Sequence, residues 1–237
     1  MIGTLVNTGA IVAGGLFGAL FGRLIRKRHQ ETLTMACGVG TLFIGIAGAM
    51  KYMLHNDLLP DGGGMLIVVC LALGGLIGEI LNIESLFERF GEWLKLKTGN
   101  AKDQGFVNGF VTASLTVCIG AMAIMGAIQD VISGDWSTLG AKAILDLVIL
   151  MVMTCSMGKG CVFSAIPVFL WEGGLTVLAS AIRPVMTELA MGYLSLVGSV
   201  LIFCVGINLI WGKKIRVANL LPAVILAVIA AFLPFRF

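Results

Sequence analysis

Two acids stand inside stretches of sequence that are otherwise almost wholly apolar: Asp146 in Ala143-Ile144-Leu145-Asp146-Leu147-Val148, and Glu172 in Leu170-Trp171-Glu172-Gly173-Gly174. An ionisable side chain at the centre of a bilayer costs at least roughly 2.5 to 3.5 kcal/mol, so it needs a partner, a wet cavity or a function. Lys142 lies four residues before Asp146, a spacing that permits an ion pair within one helix. The plainer reading of that pair is structural, with Lys142 snorkelling outward. Glu172, counted along an apolar stretch over 161–181, falls about 16 Å into a helix, close to the midplane. Its neighbourhood is the least regular in the chain. Gly158-Lys159-Gly160 precedes it, Pro167 interrupts the hydrogen-bond ladder and Gly173-Gly174 follows. Such backbone either kinks a helix for packing or frees carbonyls that can bind an ion or solute. Ser156 and Ser164 add hydroxyls, and Asn7, Asn108 and Asn208 lie toward helix ends and read as caps or cross-links, Asn208 standing also among the candidate binding groups.

The chemistry available to such a set is proton exchange or the holding of a small ion or polar solute. Covalent catalysis has no constellation here. His29 and His55 are loop residues without a nucleophile or carboxylate beside them, and Met157-Gly158-Lys159-Gly160 lacks the phosphate-loop frame. Cys37, Cys70, Cys118, Cys155, Cys161 and Cys204 lie in or at the ends of apolar segments with no CxxC pair, and read as reduced thiols. The expectation is a protein that is not an enzyme and carries no cofactor and no metal centre.

These residues have to be positioned by membrane helices. Hydrophobic residues are 58% of the 237, charged residues only 12%, and the mean hydropathy is +1.01, against about 25% charged residues in a soluble domain. At about 20 residues per crossing, the chain has room for roughly eight helices and little else. The apolar segments run over 2–22, 32–53, 63–81, 104–127, 138–157, 161–181, 189–211 and 219–235. The class is all-α, a polytopic helical membrane protein.

Charge orients the helices. Arg23, Arg26, Lys27 and Arg28 share one gap, Arg89, Lys95, Lys97 and Lys102 another, Lys159 a third, and Lys213, Lys214 and Arg216 a fourth. Asp57, Asp61, Asp130 and Asp135 lie in the gaps between, while Lys51, Lys142, Arg183 and Arg236 fall at outer ends. Basic loops stay in the cytoplasm, so the alternation predicts a multi-pass protein of the bacterial cytoplasmic (inner) membrane with both termini outside. The net charge of +3 comes from these loops and points to no nucleic-acid partner.

The whole of 1–237 reads as one transmembrane domain, comprising a two-helix unit at 1–62 and two further units at 63–157 and 158–237 that resemble each other. Cys118-Ile119-Gly120 with Ile124 and Gly126 matches Cys204-Val205-Gly206 with Ile210 and Gly212. Leu73-Gly74-Gly75-Leu76 similarly echoes Glu172-Gly173-Gly174-Leu175. Three-helix units in tandem must enter from opposite sides, so helices 3–5 and 6–8 fit an inverted repeat, an arrangement of secondary transporters with the site between repeats. Over 82–97, Ile83, Leu86, Phe87, Phe90, Trp93 and Leu94 recur at helical spacing opposite Glu84, Glu88 and Glu92, which predicts an amphipathic helix on the inner leaflet. Gly14, Gly18 and Gly22, like Gly74 and Gly78, are four apart and clear a helix face for close packing, within the chain or in a homo-oligomer.

The chain resembles domain-of-unknown-function family 554, uncharacterised bacterial multi-pass membrane proteins. The residues that carry the likeness are Gly3-Thr4-Leu5-Val6-Asn7 with Gly14-Gly15, Gly158-Lys159-Gly160 through Ser164-Ala165 to Pro167-Val168, and Val217-Ala218-Asn219-Leu220-Leu221-Pro222. The resemblance implies a location and a multi-span fold, and that Gln often stands at the Glu172 position. It implies no substrate, cofactor or catalytic residue. The leading expectation is a secondary transporter or ion permease for a small solute or ion in the lipid bilayer, with its site between the repeats near Glu172 and Asp146. The alternative is a non-transporting scaffold that packs against the helices of a larger complex.

Overall fold

The computed structural model describes residues 1–22, 24, 26–54, 63–118, 121–132 and 134–233. Arg23, Asp57, Asp61, Ile119, Gly120 and Arg236, used above for orientation or repeat matching, and the loop histidine His55 lie outside the described residues. Those that are described form helices and connecting turns, with no strand among them.

Helix α1 spans Ile2–Gly22, α2 Lys27–Met53, α3 Gly64–Leu81 and α4 Ile83–Lys97. They are followed by α5 (Phe106–Cys118), α6 (Ala121–Ile132) and α7 (Ser137–Met157). A 3-10 turn over Lys159–Ser164 leads into α8 (Ala165–Val177) and the short α9 (Ala179–Ile182). The chain ends with α10 (Glu188–Trp211), a 3-10 turn at Val217–Leu220 and α11 (Pro222–Ala230).

Among the described residues six helices are long and apolar enough to cross a bilayer: Ile2–Gly22, Arg28–Met53, Gly64–Leu81, Ser137–Met157, Lys159–Val177 and Glu188–Trp211. The other two expected crossings differ. The fourth is a pair of helices, Phe106–Cys118 and Met122–Val131, bent by 69° from one another. The eighth is the shorter apolar piece Val217–Ala230. The sixth also changes in detail. Pro167 falls in the first turn of α8, where its missing N–H breaks no helical bond, so the irregularity lies in the 3-10 turn before it and not in a kink at the proline.

By contacts the chain forms two compact units. The first holds Met1–Cys37, Leu86–Cys118 and Met122–Ser180; the second holds Gly38–Ser85, Ile119–Ala121 and Ala181–Phe237. In the first unit α1 lies on α7 backbone to backbone. A Cβ added at Gly14 would collide with the Leu147 carbonyl oxygen, and one at Gly18 with that of Met151. The Cys155 thiol donates to the Gly18 carbonyl at 3.3 Å, and Gly22 closes on the Cys155 backbone. The 3-10 turn is held in the same way, with Gly160 pressed on the Phe106 carbonyl of α5. At the start of α7 the Asp135 carboxylate accepts the Ser137 N–H at 2.9 Å, which holds its pKa below the usual carboxylate range.

The second unit packs α3 against α10 and α11 through Leu66, Cys70, Tyr193, Leu196, Val197, Ala223 and Ala227. Here Gly74 and Gly78 admit the backbones of Ala223 and Asn219. Asn82 takes left-handed φ at +50°, a conformation asparagine tolerates better than most residues, and its N–H closes the end of α3. Beyond this corner, Glu84 accepts from Lys213 at 2.9 Å and from the Ala218 N–H at 3.1 Å, while its own N–H donates to the Asn219 side chain at 2.7 Å. Arg216 and Asn219 both donate to Glu79.

Gly14→Val is expected to destabilise the protein by about 1 to 3 kcal/mol or more, because backbone would have to move. Gly9→Ala, where an added Cβ meets nothing within 4 Å, is expected to be neutral or to stabilise by up to about 1 kcal/mol. Unfolding of the purified proteins in mixed detergent micelles reads both, and equal loss in the two variants contradicts the packing account.

Candidate functional site

The close approach of α1 to α7 brings polar groups from three helices together inside the first unit. From α7, Lys142 and Asp146 project one turn apart and form a direct ion pair. From α8, the Glu172 carboxylate lies with Oε1 at 3.5 Å from the Lys142 ammonium. From α1, the Asn7 amide donates through Nδ2 to the same Oε1 at 2.8 Å. The ammonium has a third partner, the Val117 carbonyl oxygen at 2.9 Å, in the last turn of α5. All four side chains are buried, Asn7 at 0% and Glu172 at 1% exposure.

A second tier lies one turn further along. Thr176 is four residues after Glu172, accordingly on the same face of α8, and its hydroxyl donates to the Glu172 carbonyl at 2.7 Å. Thr4 on α1 meets it, with hydroxyl to hydroxyl at 3.2 Å. Near the start of α1, the Gly3 N–H donates to Asp130 of α6 at 3.0 Å. These bonds fix α1 in register against α8 and α6, and so fix where Asn7 stands.

The charges do not balance. With every group ionised, one ammonium faces two carboxylates, a net charge of −1 in a buried cluster. The Lys142 ammonium has three N–H donors and finds three oxygens around it. Glu172 Oε2 and Asn7 Oδ1, both buried, have no hydrogen-bond partner among the described residues. The amide orientation is dictated by its neighbour, since turning it would set oxygen against the Glu172 carboxylate.

Glu172, Asp146 and Lys142, three of the residues singled out from the sequence, therefore meet. Along the Lys159–Val177 stretch Glu172 stands nearer the later end. The Lys159–Ser164 stretch rises as a 3-10 turn at about 2.0 Å per residue, and α8 ends at Val177. Glu172 thus lies little more than one turn, about 8 Å, before the end of α8. The remaining candidates are engaged locally. The Ser164 hydroxyl donates to the Cys161 carbonyl at 2.7 Å and that of Ser156 to the Met153 carbonyl at 3.1 Å. In the second unit Asn208 fixes the turn after α10: its Oδ1 accepts from the N–H groups of Lys214 and Ile215, and its Nδ2 donates to the Ile215 carbonyl. Asn7 is the residue the sequence placed only as a cap or cross-link. The signal that could have singled it out is its position on the helix whose Gly14, Gly18 and Gly22 stripe demands a close neighbour.

Lys142→Met is expected to cost about 3 to 5 kcal/mol of stability, because it strands two buried carboxylates without their cation. Asp146→Asn is expected to cost less than half as much, since it leaves Lys142 and Glu172 as a balanced pair. The same micelle unfolding measurement compares the two, and a larger loss for Asp146→Asn would contradict the assignment of Lys142 as the shared cation.

Comparison with known proteins places the whole length of the chain. The profile of a family described as protein of unknown function (DUF554) matches residues 2–232. The chain is 28% identical over 232 residues to the uncharacterized membrane protein YdfK of Bacillus subtilis (strain 168), covering 98% of this chain and 96% of that one. It is 29% identical over 231 residues to the uncharacterized protein YqgA of Escherichia coli (strain K12), covering 96% and 94%. No solved structure matches.

Proposed function

This chain belongs to the DUF554 family, and from that premise we propose that it is a small secondary transporter or ion permease, moving a small solute or ion past Glu172 and Asp146. It is a membrane-embedded helical protein, and apolar helices take up most of its described residues. The observation that carries the reading is the buried cluster itself. Intramembrane acids are expensive, and a purely structural cluster gains most when its charges cancel. Here three helices converge on two acids and a single cation, and two oxygens are left over. An arrangement with spare acceptor capacity has the chemistry of a carrier site, which must bind and release, more than that of a permanent tie.

The scaffold alternative drew on the glycine faces and on the amphipathic helix α4. Gly14, Gly18, Gly22, Gly74 and Gly78 all close on neighbours within the chain, so its support rests on α4. The inner-membrane location, both termini outside, the inverted repeat of helices 3–5 and 6–8, and the absence of enzymatic activity form part of the same proposal.

The test is flux across a panel of small ions and solutes in proteoliposomes with an imposed proton or ion gradient. Protein-dependent flux is expected, with Asp146→Asn and Glu172→Gln each lowering it at least about tenfold, or 1.4 kcal/mol in the barrier. Flux unchanged in both variants removes these acids from the path, and no flux for any solute under any gradient counts against transport. Orientation is read separately: alkaline phosphatase fused at the C-terminus is expected to be active and a cytoplasmic fluorescent reporter dark.

A further inference from the structure

Glu172 Oε2 and Asn7 Oδ1 are both hard oxygen acceptors, they belong to residues on facing helices already joined by the 2.8 Å Asn7 to Glu172 hydrogen bond, and both are buried without a partner among the described residues. A buried polar group with no partner costs about 1 to 3 kcal/mol, and more when it carries charge. Two such atoms, one on each member of a hydrogen-bonded pair in a cluster of two acids and one cation, would be satisfied by a small group that carries positive charge and prefers oxygen.

We propose that Asn7 and Glu172 form the seat of one monovalent cation, an alkali ion of about sodium size or a proton, and that this is the ion to which the transport cycle is coupled. The proposal deepens the transport reading and rests on it for its biological role, though not for its chemistry. Lys142 is not the missing cation, because its three N–H groups are already directed at Val117, Asp146 and Glu172. A divalent ion would overshoot the deficit of one charge. No three acid, histidine or cysteine side chains gather as a metal-binding set among the described residues, so a transition metal lacks its usual ligands. Oxygen donors of the carboxylate and amide type suit a hard cation. The groups facing Glu172 are Asn7 of α1 and Lys142 and Asp146 of α7, with the Cys118 thiol of α5 close to all three charges. A proton competes for the same carboxylate, so alkali-ion affinity must fall with pH.

The experiment uses the full chain in lipid nanodiscs, with sodium chloride, potassium chloride or choline chloride at constant ionic strength as probes. Thermal stability and the infrared signature of protonated carboxylic acids are followed against pH. Sodium is expected to raise Tm over choline in the unaltered protein and not in Glu172→Gln. The half-saturating concentration should rise about tenfold for each unit that the pH falls below the carboxylate's own titration. Asn7→Leu, which keeps the charge count, should weaken the sodium effect at least about tenfold and serves if Glu172→Gln does not fold. A protonated-acid band present at neutral pH in choline, absent in Glu172→Gln and indifferent to sodium identifies the cation as a proton and also supports the seat. A Glu172 that stays ionised at neutral pH with no alkali-ion effect overturns the proposal, as does a sodium effect that persists in Glu172→Gln. Binding without flux in proteoliposomes would sink the transport reading and leave the seat standing; flux without binding would do the reverse.

Discussion

How near two helices can come is set by the largest atoms between their backbones, and along one face of α1 those atoms are missing. Gly14, Gly18 and Gly22 let α1 rest directly on the Leu147 and Met151 carbonyls of α7. That contact replaces the hydrophobic effect, which gives no drive between helices already in lipid, with dispersion and close dipole contact. It also sets the height and rotation of α1, and with them the position of Asn7 seven residues before Gly14. The amide reaches Glu172 because the glycines bring its helix within side-chain range. The cluster thus depends on residues that have no chemistry of their own.

Within the cluster, Lys142 decides what the acids can do. In a medium of low dielectric constant neither Asp146 nor Glu172 could stay charged alone. One ammonium stabilises the first fully and the second in part, at direct contact and at 3.5 Å respectively. The asymmetry makes Asp146 the closer counter-ion of Lys142 and leaves Glu172 the less fully compensated acid. Thr4 and Thr176 then hold the two outer helices together just beyond Glu172.

Much of this was legible in the chain. Asp146, Glu172 and Lys142 announce themselves because charge in an apolar run has an energetic cost that sequence alone reveals. The amphipathic helix α4 is legible from the spacing of Ile83, Leu86, Phe90 and Trp93, and the glycine stripe from its period of four. Asn7 carried no such signal, since a neutral amide near a helix start has an ordinary use as a cap and nothing local names its partner 165 residues away. Asn208 is the reverse case, a polar residue in an apolar helix whose whole hydrogen-bonding capacity goes to the next turn of chain. The division of the fourth crossing into α5 and α6 was hidden too, because Val117-Cys118-Ile119-Gly120-Ala121 is as apolar as any continuous helix.

The bond from Lys142 to the Val117 carbonyl joins these observations. Val117 lies in the last turn of α5 over its described residues, and its carbonyl accepts from the ammonium at 2.9 Å. The ammonium therefore answers three claims at once: two from side chains that can change charge, and one from a backbone carbonyl that cannot. Any event that adds positive charge beside Glu172 weakens one claim and leaves the ammonium freer to settle on Asp146 and α5. In the proposed carrier, a change at a single carboxylate would accordingly be felt at the Val117 carbonyl of α5 as well as at Asp146, because all three share one ammonium.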